Sequence, residues 1–122
     1  MILDGFFDRY PTLKLIVSHA DATLPYIAGR LDFCWEKMKA ARQHIARPPS
    51  TYLRHVYYDI VCYRPEALAL AIDVGGADHV LYGSDYPHNI GDMTGCLARV
   101  DALPAAQHDA IRSANAQRIF KL

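Results

Sequence analysis

Cysteine is scarce in this sequence, and neither sign of charge is in excess. Cys34, Cys62 and Cys96 are odd in number, far apart and without a C-x-x-C pair. That excludes a disulfide framework and fits buried thiols in a reduced, cytoplasmic setting. Thirteen basic residues balance thirteen acidic ones, so no bulk field favours nucleic acid or an anionic membrane. No apolar run approaches the roughly 18–20 residues of a membrane span. The N-terminus has neither the basic n-region nor the small-residue cleavage site of a signal peptide. No segment repeats at a fixed period, and none is of low complexity. What remains is an ordinary globular composition, 52% hydrophobic and 21% charged, enough at 122 residues for one domain with a core.

Apolar spacing then divides the chain. Ile2, Leu3, Phe6 and Phe7 stand at helical intervals, and Tyr10-Pro11 ends that short helix because the residue before proline avoids the α region. Leu13 to Ser18 reads as a strand buried on both faces. Thr23 is a plausible N-cap for a long helix over 24–44, with Pro25 in its first turn and an apolar stripe of Leu24, Ile27, Leu31, Cys34, Trp35 and Met38, extended to Ile45. Arg30 on this helix is expected in an ion pair. After the loop Arg47 to Ser50, where Ser50 caps a turn, Val56 to Cys62 is a strand rich in β-branched and aromatic residues. Pro65 starts a helix that Gly75-Gly76 stops. His79 to Tyr82 is the third strand. Met93 to Leu103 is a helix, and Pro104 opens a last helical region through Phe120. Strand and helix in alternation imply a parallel α/β sheet. Three strands make a poor closed core, and the chain is about half of the roughly 250 residues of a complete (β/α)₈ barrel.

Two strand ends carry the chemistry. Leu81-Tyr82-Gly83-Ser84-Asp85-Tyr86-Pro87-His88 is an apolar strand that breaks at Gly83 and then delivers a lone carboxylate. Lys14-Leu15-Ile16-Val17-Ser18-His19 ends in a lone imidazole. Enzymes of (β/α) type hold their catalytic groups at such C-terminal strand ends. The plain alternatives are a Ser-Asp turn and a core histidine with both nitrogens satisfied. Asp59, a charge inside a strand, is either a structural hydrogen-bond acceptor or a group near the pocket. His44, His55, His79 and His108 suggest no role.

Several motifs in order resemble one family. They are Phe6 to His19, Leu24-Pro25-Tyr26 with Gly29-Arg30-Leu31-Asp32, Tyr57-Tyr58-Asp59, Gly83-Ser84-Asp85-Tyr86-Pro87, and Asn115-Ala116-Gln117-Arg118-Ile119-Phe120. Together they resemble the amidohydrolase-2 family of aminocarboxymuconate-semialdehyde and resorcylate decarboxylases. The resemblance implies the C-terminal three β/α units, strands six to eight, of a metal-dependent (β/α)₈ TIM barrel. It maps His19 onto the sixth-strand catalytic histidine and Asp85 onto the eighth-strand metal ligand, also catalytic. His88 becomes a substrate contact or a surface loop residue. A divalent metal, zinc or manganese, and a small-molecule carboxylic acid substrate follow from the same resemblance.

The pattern also departs from the family. No His-x-His of the first strand and no fifth-strand histidine is present, whereas catalytic zinc takes about three protein ligands. Ala20-Asp21-Ala22 replaces the glycines frequent after the sixth-strand histidine. The implied parent is a decarboxylase of an aromatic or unsaturated acid, with a lactone or amide hydrolase as alternative. A third reading is a non-catalytic truncated product serving as an interaction module. As a segment the chain is expected to bind metal weakly, to be inactive alone, and to self-associate through unpaired strand edges and an inner face holding Ile16 and Val80.

Overall fold

The computed structural model describes residues 1–122. Three short strands, β1 (Leu15–Val17), β2 (Val56–Asp59) and β3 (Val80–Leu81), form one parallel sheet in the order β1-β2-β3. Helix α1 (Phe6–Arg9) precedes the sheet, and α2 (Leu24–Lys37) and α3 (Pro65–Gly75) are the crossovers between its strands. Helices α4 (Met93–Asp101), α5 (Ala105–Asp109) and α6 (Asn115–Phe120) follow, the last two joined by a π-helical turn at Ala110–Ala114. The alternation expected from the sequence is present, with each strand shorter than its apolar run. In β2 the ladder stops at Asp59 because Ile60 turns away, its carbonyl accepting from the Cys62 amide at 2.8 Å.

The register fixes which side chains share a face. Leu15 pairs with Val56, Val17 with Tyr58, and Tyr58 with Val80. By the period of two these point toward the helices. There Val56, Tyr58 and Val80 join Phe7, Tyr52, Leu68, Cys96, Val100 and Ile111 in the main core. The opposite face carries Ile16, Tyr57, Asp59 and Leu81. Ile119 of α6 packs on Tyr57 and Leu81 as a small second cluster, and Ile16 is left 41% exposed. Ile16 and Val80 therefore do not share an inner face. Ile16 pairs with Tyr57 while Val80 pairs with Tyr58, one residue out of phase.

Several local expectations also fail. The long helix stops at Lys37 instead of His44, because Met38 turns extended (φ −112, ψ 117) before a separate 3-10 turn over Lys39–Arg42. The break returns the chain so that Ile45 is buried and its carbonyl accepts from the Trp35 indole. Helix propensity at Lys39-Ala40-Ala41-Arg42 yields to that packing. Thr23 has helical dihedrals and caps nothing with its side chain. Ser50 is not a cap either; its amide donates to Asp32, and the turn begins at Pro49. Arg30 is exposed and enters no ion pair. Of the three free thiols, Cys96 is buried while Cys34 and Cys62 are half-buried.

Two polar contacts tie the core to the sheet. The Tyr58 hydroxyl donates to the Leu53 carbonyl at 2.6 Å. Asn115, 3% exposed, donates from one amide nitrogen to the carbonyls of Ala77 (2.8 Å) and Val80 (2.7 Å), anchoring α6 beside β3.

Candidate active site

β1 hands the chain to Ser18, which is extended, and then to four consecutive residues at positive φ: His19 (58), Ala20 (52), Asp21 (59) and Ala22 (46). None is glycine, and the left-handed region costs L-residues roughly 1–2 kcal/mol apiece. This strained turn leaves the His19 side chain exposed at the strand end while Ala20 is buried. The Asp59 carboxylate accepts from the Ala20 amide at 3.1 Å and the Val61 amide at 2.9 Å. Of its two readings, the structural acceptor is the one observed.

β3 ends at Leu81, and Asp85 also stands at positive φ (62). Beyond it the loop folds back on itself. The His88 amide donates to the Asp85 carbonyl (2.8 Å), Gly91 to His88 (2.9 Å), and Asp92 to Ser84 (2.9 Å). Gly91 is required for that closure, since a Cβ there would lie 2.9 Å from the Asp85 carbonyl oxygen. Asp92 then caps α4 by accepting from the Gly95 amide at 2.8 Å.

The two strand ends converge. An open cleft of about 420 Å³ is lined by His19, Asp85, His88, Asn89 and Ile90, so all three residues singled out in the sequence face one space. Asn89 and Ile90 were readable only as loop. Gly91, which permits the tight return, is the one local signal that could have placed them. The Tyr63 hydroxyl donates to the Ile90 carbonyl at 2.7 Å, bracing the rim from the loop after β2.

Nowhere in the chain do three His, Cys, Asp or Glu side chains come together as a metal-binding group. The residues present thus fall short of the three protein ligands of a catalytic zinc site. Of the histidines given no role, His44 is exposed and the other three are occupied structurally. His55 stacks on Phe7 (5.9 Å between centroids), His79 stacks on Tyr57 (4.7 Å), and His108 lies 3.1 Å from Asp101 and 2.6 Å from Asp109.

A second cavity, about 370 Å³, opens between α1, β1 and α2. Ten of its eleven lining residues are apolar, and the exception is Asp21. Burial there pushes the Asp21 carboxyl above its ordinary pKa, with no partner to offset it. It lies toward the helix-covered side, among Leu15, Val17 and Val56, and offers no second chemical group.

The family model described as amidohydrolase matches residues 1–122. The chain is 31% identical over 121 residues to gamma-resorcylate decarboxylase of Polaromonas sp. strain JS666, covering 97% of this chain and 37% of that protein. It is 27% identical over 95 residues to 2-amino-3-carboxymuconate-6-semialdehyde decarboxylase of Dictyostelium discoideum, over 76% of this chain and 26% of that one. Among solved structures it superposes on the dihydroxybenzoic acid decarboxylase of Polaromonas sp. JS666, which holds manganese and the inhibitor 2-nitroresorcinol. The TM-score there is 0.85 at 28% identity, over 99% of this chain and 37% of that one. The chain thus spans a little over a third of the length of the curated relatives with which it aligns throughout, and corresponds to their C-terminal part.

Proposed function

We propose, for a chain that belongs to the amidohydrolase family, the role of strands six to eight in a metal-dependent non-oxidative decarboxylase of an aromatic carboxylic acid. The observation that carries this reading is the single cleft shared by His19, Asp85 and His88 at the ends of parallel strands. The manganese and resorcinol-type inhibitor in a structure 28% identical to this chain support the substrate class. A reduced, cytoplasmic setting goes with this reading.

In such a reaction R–COO⁻ plus H⁺ gives R–H plus CO₂. The bond to the carboxylate carbon breaks, and its electron pair takes a proton at the ring carbon. His19 and Asp85 are the cleft groups that can hold and deliver that proton. Asp85 is also proposed as one ligand of a divalent zinc or manganese ion, whose remaining ligands this chain does not supply. When bound, the ion would place positive charge beside the substrate's oxygens. His88, exposed at the rim, is the proposed contact to the substrate carboxylate or hydroxyl.

A chimera tests this. The present chain replaces the matching C-terminal stretch of the Polaromonas gamma-resorcylate decarboxylase, and release of CO₂ from 2,6-dihydroxybenzoate is followed with Mn²⁺ present. Decarboxylation that falls at least about a hundredfold in both His19→Asn and Asp85→Asn, the range of acid–base contributions, is the expected result. A folded, active chimera indifferent to both changes removes the proposed roles.

A further inference from the structure

The geometry points to Asp59 as a positioning residue that locks the two segments carrying His19 and Asp85, an inference that rests on the roles proposed for that pair. Asp59 closes β2, the central strand, so it stands between the other two strand ends. One of its carboxylate oxygens takes both the Ala20 and the Val61 amide. Both donors belong to buried residues, Ala20 at 5% and Val61 at 4% exposure. Without Asp59 each would be an orphaned N–H shielded from water. Ala20 directly follows His19 inside the left-handed run, where the backbone is strained and no glycine relieves it.

The third strand end meets the same side chain. A Cβ on Gly83 would lie 3.2 Å from the Asp59 Cβ and 3.5 Å from a Val61 methyl. The segment running to Asp85 therefore passes against Asp59 with no room to spare. The chain segments after β1 and β2 donate to the Asp59 carboxylate, and the segment after β3 runs against its Cβ. Asp59 does not itself line the cleft, so it acts through the backbone of its neighbours and not on a substrate.

The lock requires an acceptor oxygen, not a charge. Asparagine offers a carbonyl oxygen at the same place, whereas alanine offers none. Nuclear magnetic resonance on the whole 122-residue chain separates the cases. Asp59→Asn is expected to leave exchange of the Ala20 and Val61 amides within about threefold of the parent and the His19 ring signals dispersed. Asp59→Ala is expected to speed both amides by about tenfold or more, the loss of one hydrogen bond's worth of protection. It also moves the His19 ring signals toward unfolded values, while the Leu68 and Val80 amides in the main core stay protected. Gly83→Ala crowds Asp59 without removing the acceptor, and is expected to shift the Ala20 amide resonance from the far side of the sheet.

Unchanged Ala20 exchange in Asp59→Ala overturns the proposal. So does an Asp59→Asn variant that behaves like Asp59→Ala. If Asp59→Ala does not fold, the other two variants decide alone, and an unmoved Ala20 resonance in Gly83→Ala overturns it. No turnover is needed for any of these readings. The decarboxylase assignment can therefore fail in the chimera while the lock stands, and the lock can fail while His19 and Asp85 prove essential.

Discussion

Replacing Asn115 with aspartate changes almost no volume yet removes both side-chain donors. The parent amide nitrogen serves two carbonyls, Ala77 at 2.8 Å and Val80 at 2.7 Å, from a residue only 3% exposed. Losing the two bonds costs about 1 kcal/mol each. Burying an ionised carboxylate against two carbonyl oxygens that repel it brings the total to about 4 kcal/mol or more at neutral pH. That is a large part of a stability on the order of 5–15 kcal/mol. The pH dependence follows from the sign of the shift. Burial without a donor raises the folded pKa of the introduced carboxyl above its unfolded value of about 3.9. The folded variant then binds the proton more tightly. Its stability relative to the parent is best below that value and falls as pH rises through the folded pKa. At pH 4 a protonated carboxyl can donate one bond, and the deficit shrinks to about 2 kcal/mol. Urea unfolding followed by circular dichroism, parent against variant at pH 7 and pH 4, measures both differences. A deficit under about 1 kcal/mol at pH 7, or one that does not shrink on acidification, refutes the account of Asn115 as the anchor of α6.

Asp21→Asn should be neutral to stabilising at pH 7 and without gain near pH 3. Burial raises the Asp21 pKa, so ionisation disfavours the folded state as pH rises, and a thermal midpoint that drops at pH 7 contradicts this. Isothermal titration of the chain alone with Mn²⁺ or Zn²⁺ should give dissociation constants no tighter than about micromolar, since one cleft carboxylate with nearby imidazoles is short of a full ligand set; stoichiometric metal retained through purification contradicts it. Light scattering at micromolar concentration should show self-association through β1, an edge strand whose Ile16 is 41% exposed. A monodisperse monomer of 13.7 kDa is the opposing result.

Element order and the strand ends were legible in the sequence because they rest on composition and short-range spacing. The apolar runs at Leu15, Val56 and Val80, the proline at 65 and the glycines at 75 and 76 mark boundaries that tertiary contacts leave nearly in place. The end of α2 was not legible, because Lys39-Ala40-Ala41-Arg42 is good helical sequence and only the burial of Ile45 forbids its use. The phase of the sheet was not legible either. Both faces of β1 and β3 read as apolar, so alternation gave no reason to set Ile16 apart from Val80; the register did. The cleft walls at Asn89 and Ile90 depend on a loop closure made by backbone hydrogen bonds, which carry no side-chain signature beyond Gly91. Nor does residue type at Ala20-Asp21-Ala22 announce a left-handed turn, since glycine is the usual sign and none is there.

The distribution of strain bears on what the strand ends are for. The helix-covered face of the sheet holds a main core of eleven buried residues, while the other face has only three. Stability therefore concentrates on the helix side, and the strand ends beyond it are free to adopt backbone that packing alone would not select. Side-chain chemistry and place in the chain mark His19 and Asp85 independently of their dihedrals. Both prove to stand at positive φ, and one half-buried residue, Asp59, touches the segment of each, the first through its carboxylate and the second through its Cβ. Backbone held in a costly region persists only where its surroundings over-determine it, and such positions cluster at functional sites. A plain turn after β1 would relax with a glycine at 20 or 22. This one has alanine at both positions and a half-buried carboxylate holding the conformation, which is the arrangement expected where the direction of the His19 side chain matters more than the ease of the turn.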